Sequence, residues 1–197
     1  TLEGVGGSLN GFTSEEFTCY LTKVPAKYLN LALGILSDMV FNPLLKESDL
    51  EKERAVILEE INLYNDLLHH YVLELLDLMR WPDHPLGLSL TGSLETISSM
   101  KLKEVTEFKN HYYTFNNVVV AGCGNLEHQG MVEKVKGLAN KGLSGNKSNF
   151  IKADNVQREP RLNLFFKATE QTHLAMGFLG VKRDHPDRHR LGLLNVI

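Results

Sequence analysis

Two glutamates, Glu53 and Glu60, have a type and a spacing that could serve chemistry. Seven residues make nearly two turns of an α-helix, so both carboxylates would project from about the same helix face. Val56 lies between them, and a carboxylate on a half-buried face needs a partner because desolvating an unpaired charge is costly. Zinc, which accepts Asp or Glu oxygen as a ligand, would be such a partner. A solvated acidic face with charges paired at i,i+3 and i,i+4 fits the same pattern, so the residues alone leave both interpretations open.

The segment that carries the two glutamates is predicted to be a long helix. Ser48 and Glu51 form a candidate capping box at its start, and the helical pattern continues to about Asn65. A preceding helix is predicted after Pro25. Before it, apolar residues in strand-like positions across residues 8–24, with a turn near residues 13–16, predict a β-hairpin.

The rest of the first part of the chain alternates helices with irregular segments. Helices are predicted around residues 70–80, 101–112 and 127–141, and a short buried strand at residues 118–121. Residues 142–159 are rich in Gly, Ser, Asn, Lys and Gln, which predicts a linker. Beyond Pro160 the pattern predicts two strands, at residues 162–166 and 173–179, and a helix from about Pro186 onward. This last part is too short to bury a core alone.

Composition and charge exclude several classes of protein. The chain has 197 residues, 43% of them hydrophobic, and a formal net charge of −3. A nucleic-acid-binding domain usually carries a basic excess, which this chain lacks. No apolar run approaches the roughly 20 residues that a membrane helix needs. Cys19 and Cys123 are too few for a disulfide framework or a cysteine zinc site.

The histidines give weaker signals. His185 and His189 have the i,i+4 spacing that can chelate a metal, but the better interpretation is two surface histidines. His84 lies in a proline-containing loop beside Trp81 and Leu86, which favours packing over a chemical role.

Several motifs occur in one order along the chain. Residues 6–20 read GGSLNGFTSEEFTCY, residues 51–61 read EKERAVILEEI, and residues 81–87 read WPDHPLG. Asp38-Met39 and Asn42-Pro43 lie between the first two. This series resembles, in order and spacing, the signatures of the pitrilysin-type (inverzincin) zinc metallopeptidases, and in particular their processing-peptidase-like branch. The resemblance covers essentially the whole chain.

The resemblance implies roles for individual residues. Glu60 corresponds to the third zinc ligand of the family, and Glu53 to an acidic residue that supports the catalytic site. Four residues correspond to the edge strand that pairs with an extended peptide substrate: Asn10, Gly11, Phe12 and Thr13. Strand addition suits a peptidase because backbone hydrogen bonds hold any peptide while side-chain pockets select it. The family usually has Ala where this chain has Gly11. The parent protein would be a zinc-dependent metalloendopeptidase that cleaves peptides or presequences.

The resemblance is incomplete at one point. The family's His-x-x-Glu-His motif supplies two zinc ligands and the general base, and none of the eight histidines here completes that motif. Family spacing would place it about fifteen residues before Thr1. We therefore expect this chain alone to bind no catalytic zinc and to cleave no peptide. The alternative is a non-catalytic family subunit that binds peptide or pairs with an active partner.

The fold that the resemblance implies is α/β (α+β): an antiparallel sheet with helices packed on one face, in an N-terminally truncated metallopeptidase-like (LuxS/processing-peptidase-like) domain. Residues 1–145 would be the C-terminal part of the zinc-site domain, residues 146–160 a linker, and residues 161–197 the start of a second, homologous domain. Expected partners are a peptide or unfolded protein substrate, but neither nucleic acid nor a membrane. The sequence leaves open whether the protein forms a homodimer or a heterodimer. It also leaves open the compartment, which would be cytoplasm or periplasm in a bacterium and the matrix in a mitochondrion.

Overall fold

A computed structural model describes residues 1–139, 145, 147–153 and 156–196 of the chain. It divides into two compact units. The first unit contains residues Thr1–Ile61 and Leu90–Ile151, and the second contains Asn62–Ser89 and Lys152–Ile197. The predicted domain division at residues 145 and 160 stays a prediction.

The described residues form two strands and seven α-helices. The strands are β1 (Ser8–Thr13) and β2 (Thr18–Lys23), and the helices are α1 (Leu29–Phe41), α2 (Glu47–Asp66), α3 (Leu68–Arg80), α4 (Leu94–Ser99), α5 (Leu102–Tyr112), α6 (His128–Ala139) and α7 (Arg188–Leu194). Each helix predicted from periodicity is present among the described residues, with bounds shifted by a few residues. Residues 140 and 141, at the end of the helix predicted at 127–141, and part of the predicted linker lie outside the described residues. Because α2 begins at Glu47, Ser48 lies inside its first turn, and the predicted capping box with Glu51 was wrong.

The predicted hairpin is confirmed. Strands β1 and β2 are antiparallel, with Ser8 opposite Lys23 and Thr13 opposite Thr18. The N–H of Ser14 donates to the carbonyl of Phe17 (2.9 Å) and closes the turn between the strands. Within the described part of the chain, β1 pairs with β2 alone, so its other edge is open.

Packing in the first unit joins the hairpin and helices through a few specific contacts. Strand β2 meets the residue that follows α5, where the hydroxyls of Tyr20 and Tyr113 lie 3.2 Å apart. The ring of Phe41, at the end of α1, stacks on Phe115 with centroids 4.3 Å apart. Ile61 is buried, so one side of α2 faces the interior.

Helix α3 dominates the second unit. The chain turns sharply after it, with His84 Nδ1 accepting from the N–H of Leu86 (3.1 Å) at the start of a short 3₁₀ turn. Gly87 lies against the carbonyl of Trp81 so closely that any Cβ there would collide with it. This close approach explains why the WPDHPLG segment ends in glycine.

Three predicted strands are absent from the described residues. Residues 118–121, 162–166 and 173–179 are irregular, and Val119 is 93% exposed where a buried strand was predicted. A strand forms only when a second strand takes its backbone hydrogen bonds, and no described segment does so for these three. The prediction of strand structure at these positions was therefore wrong for this chain, although the fold class is confirmed below by comparison with solved structures.

The described helices include none that is both long enough and apolar enough to cross a membrane.

Candidate functional site

Helix α2 presents Glu53 and Glu60 on one exposed face. Both side chains are exposed, and Val56 between them is 60% exposed. The sequence analysis expected a half-buried face, and the structure shows an open one instead. Neither glutamate makes a hydrogen bond or an ion pair with any residue that the structure describes. Two carboxylates thus project from the same side of one helix without a partner in the described part of the chain.

The alternative interpretation was an acidic helix face whose charges pair with neighbours on the same helix. Among the described residues it applies to Glu51 but to neither Glu53 nor Glu60. Glu51 pairs with Arg54 at i,i+3, with Nη2 and Oε1 3.3 Å apart. No corresponding pair among the described residues involves Glu53 or Glu60. Local charge pairing therefore accounts for Glu51 and leaves the two candidate residues available for an external cation.

Arg54 is a residue of this site that the sequence analysis quoted without assigning a role. Its guanidinium donates to the backbone carbonyls of Ile97 and Ser98, and through Nη2 to that of Met100 (2.7 Å). Its side chain is only 15% exposed. The sequence could have indicated this position through the helical periodicity. Arg54, Ile57 and Ile61 fall at i, i+3 and i+7, which places the arginine on the inward, apolar face of α2.

The donor set fits zinc only in part. An exposed carboxylate without an ion pair can give zinc one oxygen ligand. The described residues contain no group of three or more His, Cys, Asp or Glu side chains that could hold a metal ion. The α2 face can therefore complete a coordination sphere but cannot form one alone.

The open edge of β1 presents outward-pointing backbone groups. The Ser14–Phe17 hydrogen bond fixes which cross-strand pairs are hydrogen-bonded, because the two kinds of pair alternate along an antiparallel ladder. By this alternation Asn10 and Phe12 bond to β2, while the backbone groups of Leu9, Gly11 and Thr13 point to the open edge. The four predicted substrate-binding residues are all exposed. No hydrogen bond or ion pair among the described residues joins them to Glu53 or Glu60.

One of these edge groups is already occupied. The N–H of Gly11 donates to Oδ1 of Asn10 at 2.8 Å. An incoming strand that uses this N–H must first displace the Asn10 side chain. The Asn10 side chain thus caps this donor of the edge.

Tyr20, opposite Gly11 on β2, is unsuited to act as a base. Burial raises the pKa of its phenol to about 12, and the hydrogen bond and charge interaction with Tyr113 act in the same direction. The phenol stays protonated at neutral pH and serves as a hydrogen-bonding link to Tyr113, the residue that follows α5.

His185 and His189, the two histidines with metal-chelating spacing, form hydrogen bonds with residues close to them in the chain. His185 Nδ1 accepts from the N–H of Asp187 (3.1 Å), and Arg188 Nε donates to His189 Nε2 (3.1 Å). Because α7 begins at Arg188, the two histidines do not share one helix face as their spacing suggested. Both are exposed, which confirms the interpretation as surface histidines.

Comparison with known proteins places this geometry in a family. Residues 1–93 match the family described as Insulinase (Peptidase family M16), and residues 99–197 match the Peptidase M16 inactive domain. A Bacillus subtilis (strain 168) protein named "Uncharacterized zinc protease YmxG" is 32% identical over 99% of this chain and 47% of its own length. The chain spans about half the length of the curated relatives it matches.

Solved structures show the same fold. A protease from Helicobacter pylori aligns with a TM-score of 0.70 and 22% identity, covering 78% of this chain and 38% of that one. Pitrilysin aligns with a TM-score of 0.62 and 22% identity, covering 79% of this chain and 17% of that one. The mixed fold, with an antiparallel pair of strands and packed helices, matches M16 peptidase domains, and the chain belongs to peptidase family M16.

Proposed function

We propose that this chain is part of a zinc metalloendopeptidase in which Glu60 is a zinc ligand and β1 binds the substrate as an added strand. The observation that carries the proposal is the exposed α2 face, where Glu53 and Glu60 project together without an ion pair among the described residues. The B. subtilis relative is named as a zinc protease, which supports zinc as the metal.

Each residue has a distinct task in this proposal. Glu60 donates a carboxylate oxygen to the metal, which when bound activates water and polarises the scissile carbonyl. Glu53, two turns earlier on the same face, orients groups at the site by accepting hydrogen bonds. The outward backbone groups of Leu9, Gly11 and Thr13 hold the peptide extended, and Phe12 lies on the same strand to contact its side chains.

The chain alone is expected to be inactive. A single carboxylate face cannot hold zinc, so the other ligands and the general base belong to a part of the whole protein outside these residues. Reading the parent gene upstream of Thr1 for a His-x-x-Glu-His motif is the first test.

The second test measures the full-length protein with Glu60→Gln. Gln keeps the size of the side chain but removes its charge, so we expect loss of bound zinc after dialysis against a chelator, together with loss of peptide hydrolysis. Glu59→Gln is the matched control, because Glu59 is an exposed neighbour on the same helix, about 100° around from Glu60. Wild-type zinc content and hydrolysis in Glu60→Gln would refute the ligand assignment.

The same experiment distinguishes the proposal from the alternative, a non-catalytic family subunit that binds peptide or pairs with an active partner. A full-length protein without zinc and without hydrolysis, but with measurable peptide binding, would favour a peptide-binding or partner role.

A further inference from the structure

We propose that Arg54 is the positioning residue that sets the rotation of α2 and thereby aims Glu60 at the metal and Glu53 at the groups around it. This inference rests on the proposed function, since it assigns Arg54 a task in the same zinc site.

The first step is the anchoring of Arg54. Its guanidinium donates to three backbone carbonyls, those of Ile97, Ser98 and Met100, and pairs with Glu51. These carbonyls lie at the C-terminal end of α4, where a helix leaves backbone acceptors without intrahelical partners. The planar guanidinium can satisfy several such acceptors at once, in a fixed geometry that a single ammonium group cannot reproduce.

The second step is helix geometry. Arg54 follows Glu53 by one residue, and the buried Ile61 follows Glu60 by one residue. Arg54 and Ile61 are therefore each rotated by about 100° around the helix axis from the glutamate that precedes them. Holding Arg54 and Ile61 against the interior leaves α2 a single orientation, and that orientation sends both carboxylates to the open face.

The third step is the tolerance of a metal site. A side-chain tip lies about 6 Å from the helix axis, so a 20° rotation of α2 would move a carboxylate by about 2 Å. Ligand distances in metal sites are fixed to about 0.2 Å. A small loss of rotational restraint would therefore weaken a ligand that Arg54 never touches.

The test uses the full-length protein with Arg54→Lys and Arg54→Gln. Zinc affinity is measured by competition with a chelator, and ligand geometry by the visible absorption of the cobalt-substituted protein. We expect zinc affinity to fall by about 10–100-fold, as is typical when a supporting partner of a metal ligand is lost, with an altered cobalt spectrum. Arg190→Gln removes an exposed arginine of α7 and should leave both readouts unchanged.

The unfolding midpoint of each metal-free variant separates positioning from stability alone. A variant with wild-type zinc affinity and cobalt spectrum would overturn the proposal, whatever its stability. Should Arg54→Gln fail to fold, Arg54→Lys decides, because lysine keeps the charge and most of the apolar stem. If Glu60→Gln loses zinc while Arg54→Lys keeps it, the inference about Arg54 fails and the proposed function stands; if Glu60→Gln keeps zinc, the proposed function itself fails.

Discussion

At the scale of single residues, Asn10 controls the backbone group that an added strand would need. Its Oδ1 accepts the N–H of Gly11, which points to the open edge of β1. Proteins protect unpaired strand edges because such edges recruit other chains. The Asn10 side chain accepts a hydrogen bond from the Gly11 N–H, and an added strand would have to replace this acceptor. The Asn10 side chain thus protects the edge donor and would have to move before an added strand could use it.

Replacing Asn10 tests this cap directly. In Asn10→Ala the N–H of Gly11 loses its acceptor, so its amide hydrogen should exchange faster with solvent, after correction for intrinsic rates. Asn10→Asp keeps an oxygen in the same place and should keep the protection. Amide exchange of Gly11, followed by NMR, makes the comparison. Equal exchange in the wild type and in Asn10→Ala would show that the cap does not form in solution.

At the scale of elements, α4 depends on its two ends. It has six residues, far fewer than an isolated helix needs to be stable in water. At its start Ser93 Oγ accepts from the N–H of Thr96 (3.1 Å), and Thr96 Oγ1 accepts from the N–H of Ser93 (2.9 Å). At its end the guanidinium of Arg54 donates hydrogen bonds to the carbonyls of Ser98 and Met100. Because α4 holds Arg54, its stability bears on the orientation of α2.

Ser93→Ala should therefore destabilise the first unit. Loss of a serine N-cap costs about 1 kcal/mol of unfolding free energy. Ser98→Ala makes the same chemical change in the same helix, where no side-chain hydrogen bond is lost among the described residues, and should be close to neutral. Urea denaturation of the two variants compares them. A cost in Ser98→Ala as large as that in Ser93→Ala would argue against capping as the cause.

At the scale of the whole molecule, the second unit exposes an apolar face. Many of its exposed apolar side chains lie in the segments 162–166 and 173–179, and two residues of these segments contact α3. Phe165 packs edge-on against Tyr71 with ring centroids 5.1 Å apart, and Gly177 lies against Leu76 of α3. The large apolar side chains that are exposed in these segments include Leu162, Leu164, Phe165, Phe166, Leu174, Met176, Phe178 and Leu179. Exposed apolar surface promotes association between molecules.

The 197-residue chain in isolation should consequently self-associate through this face. Leu164→Lys places a charge within it, so light scattering at a given protein concentration should fall. Leu44→Lys is the matched control, since Leu44 is 79% exposed and Leu164 is 84% exposed, but Leu44 lies in the first unit. An equal fall in both variants would mean that added charge alone, and not the face, controls association.

Local patterns in the sequence were enough for the helices, the hairpin and the family. A helix makes its hydrogen bonds within its own segment, so residues 29–41 and 47–66 could be recognised from periodicity alone. The common phase of Glu53 and Glu60 follows from the same periodicity. The short turn between β1 and β2 likewise keeps both strands of the hairpin within one local stretch.

Only the tertiary structure decided the rest. The segments 118–121, 162–166 and 173–179 have strand-like sequences but form no strand, because a strand's hydrogen bonds depend on a distant partner that no local pattern supplies. The backbone carbonyls that Arg54 binds lie more than forty residues away along the chain, at Ile97, Ser98 and Met100. The sequence therefore determined which face of α2 carries the carboxylates, and the packing of α4 against Arg54 determined where that face points.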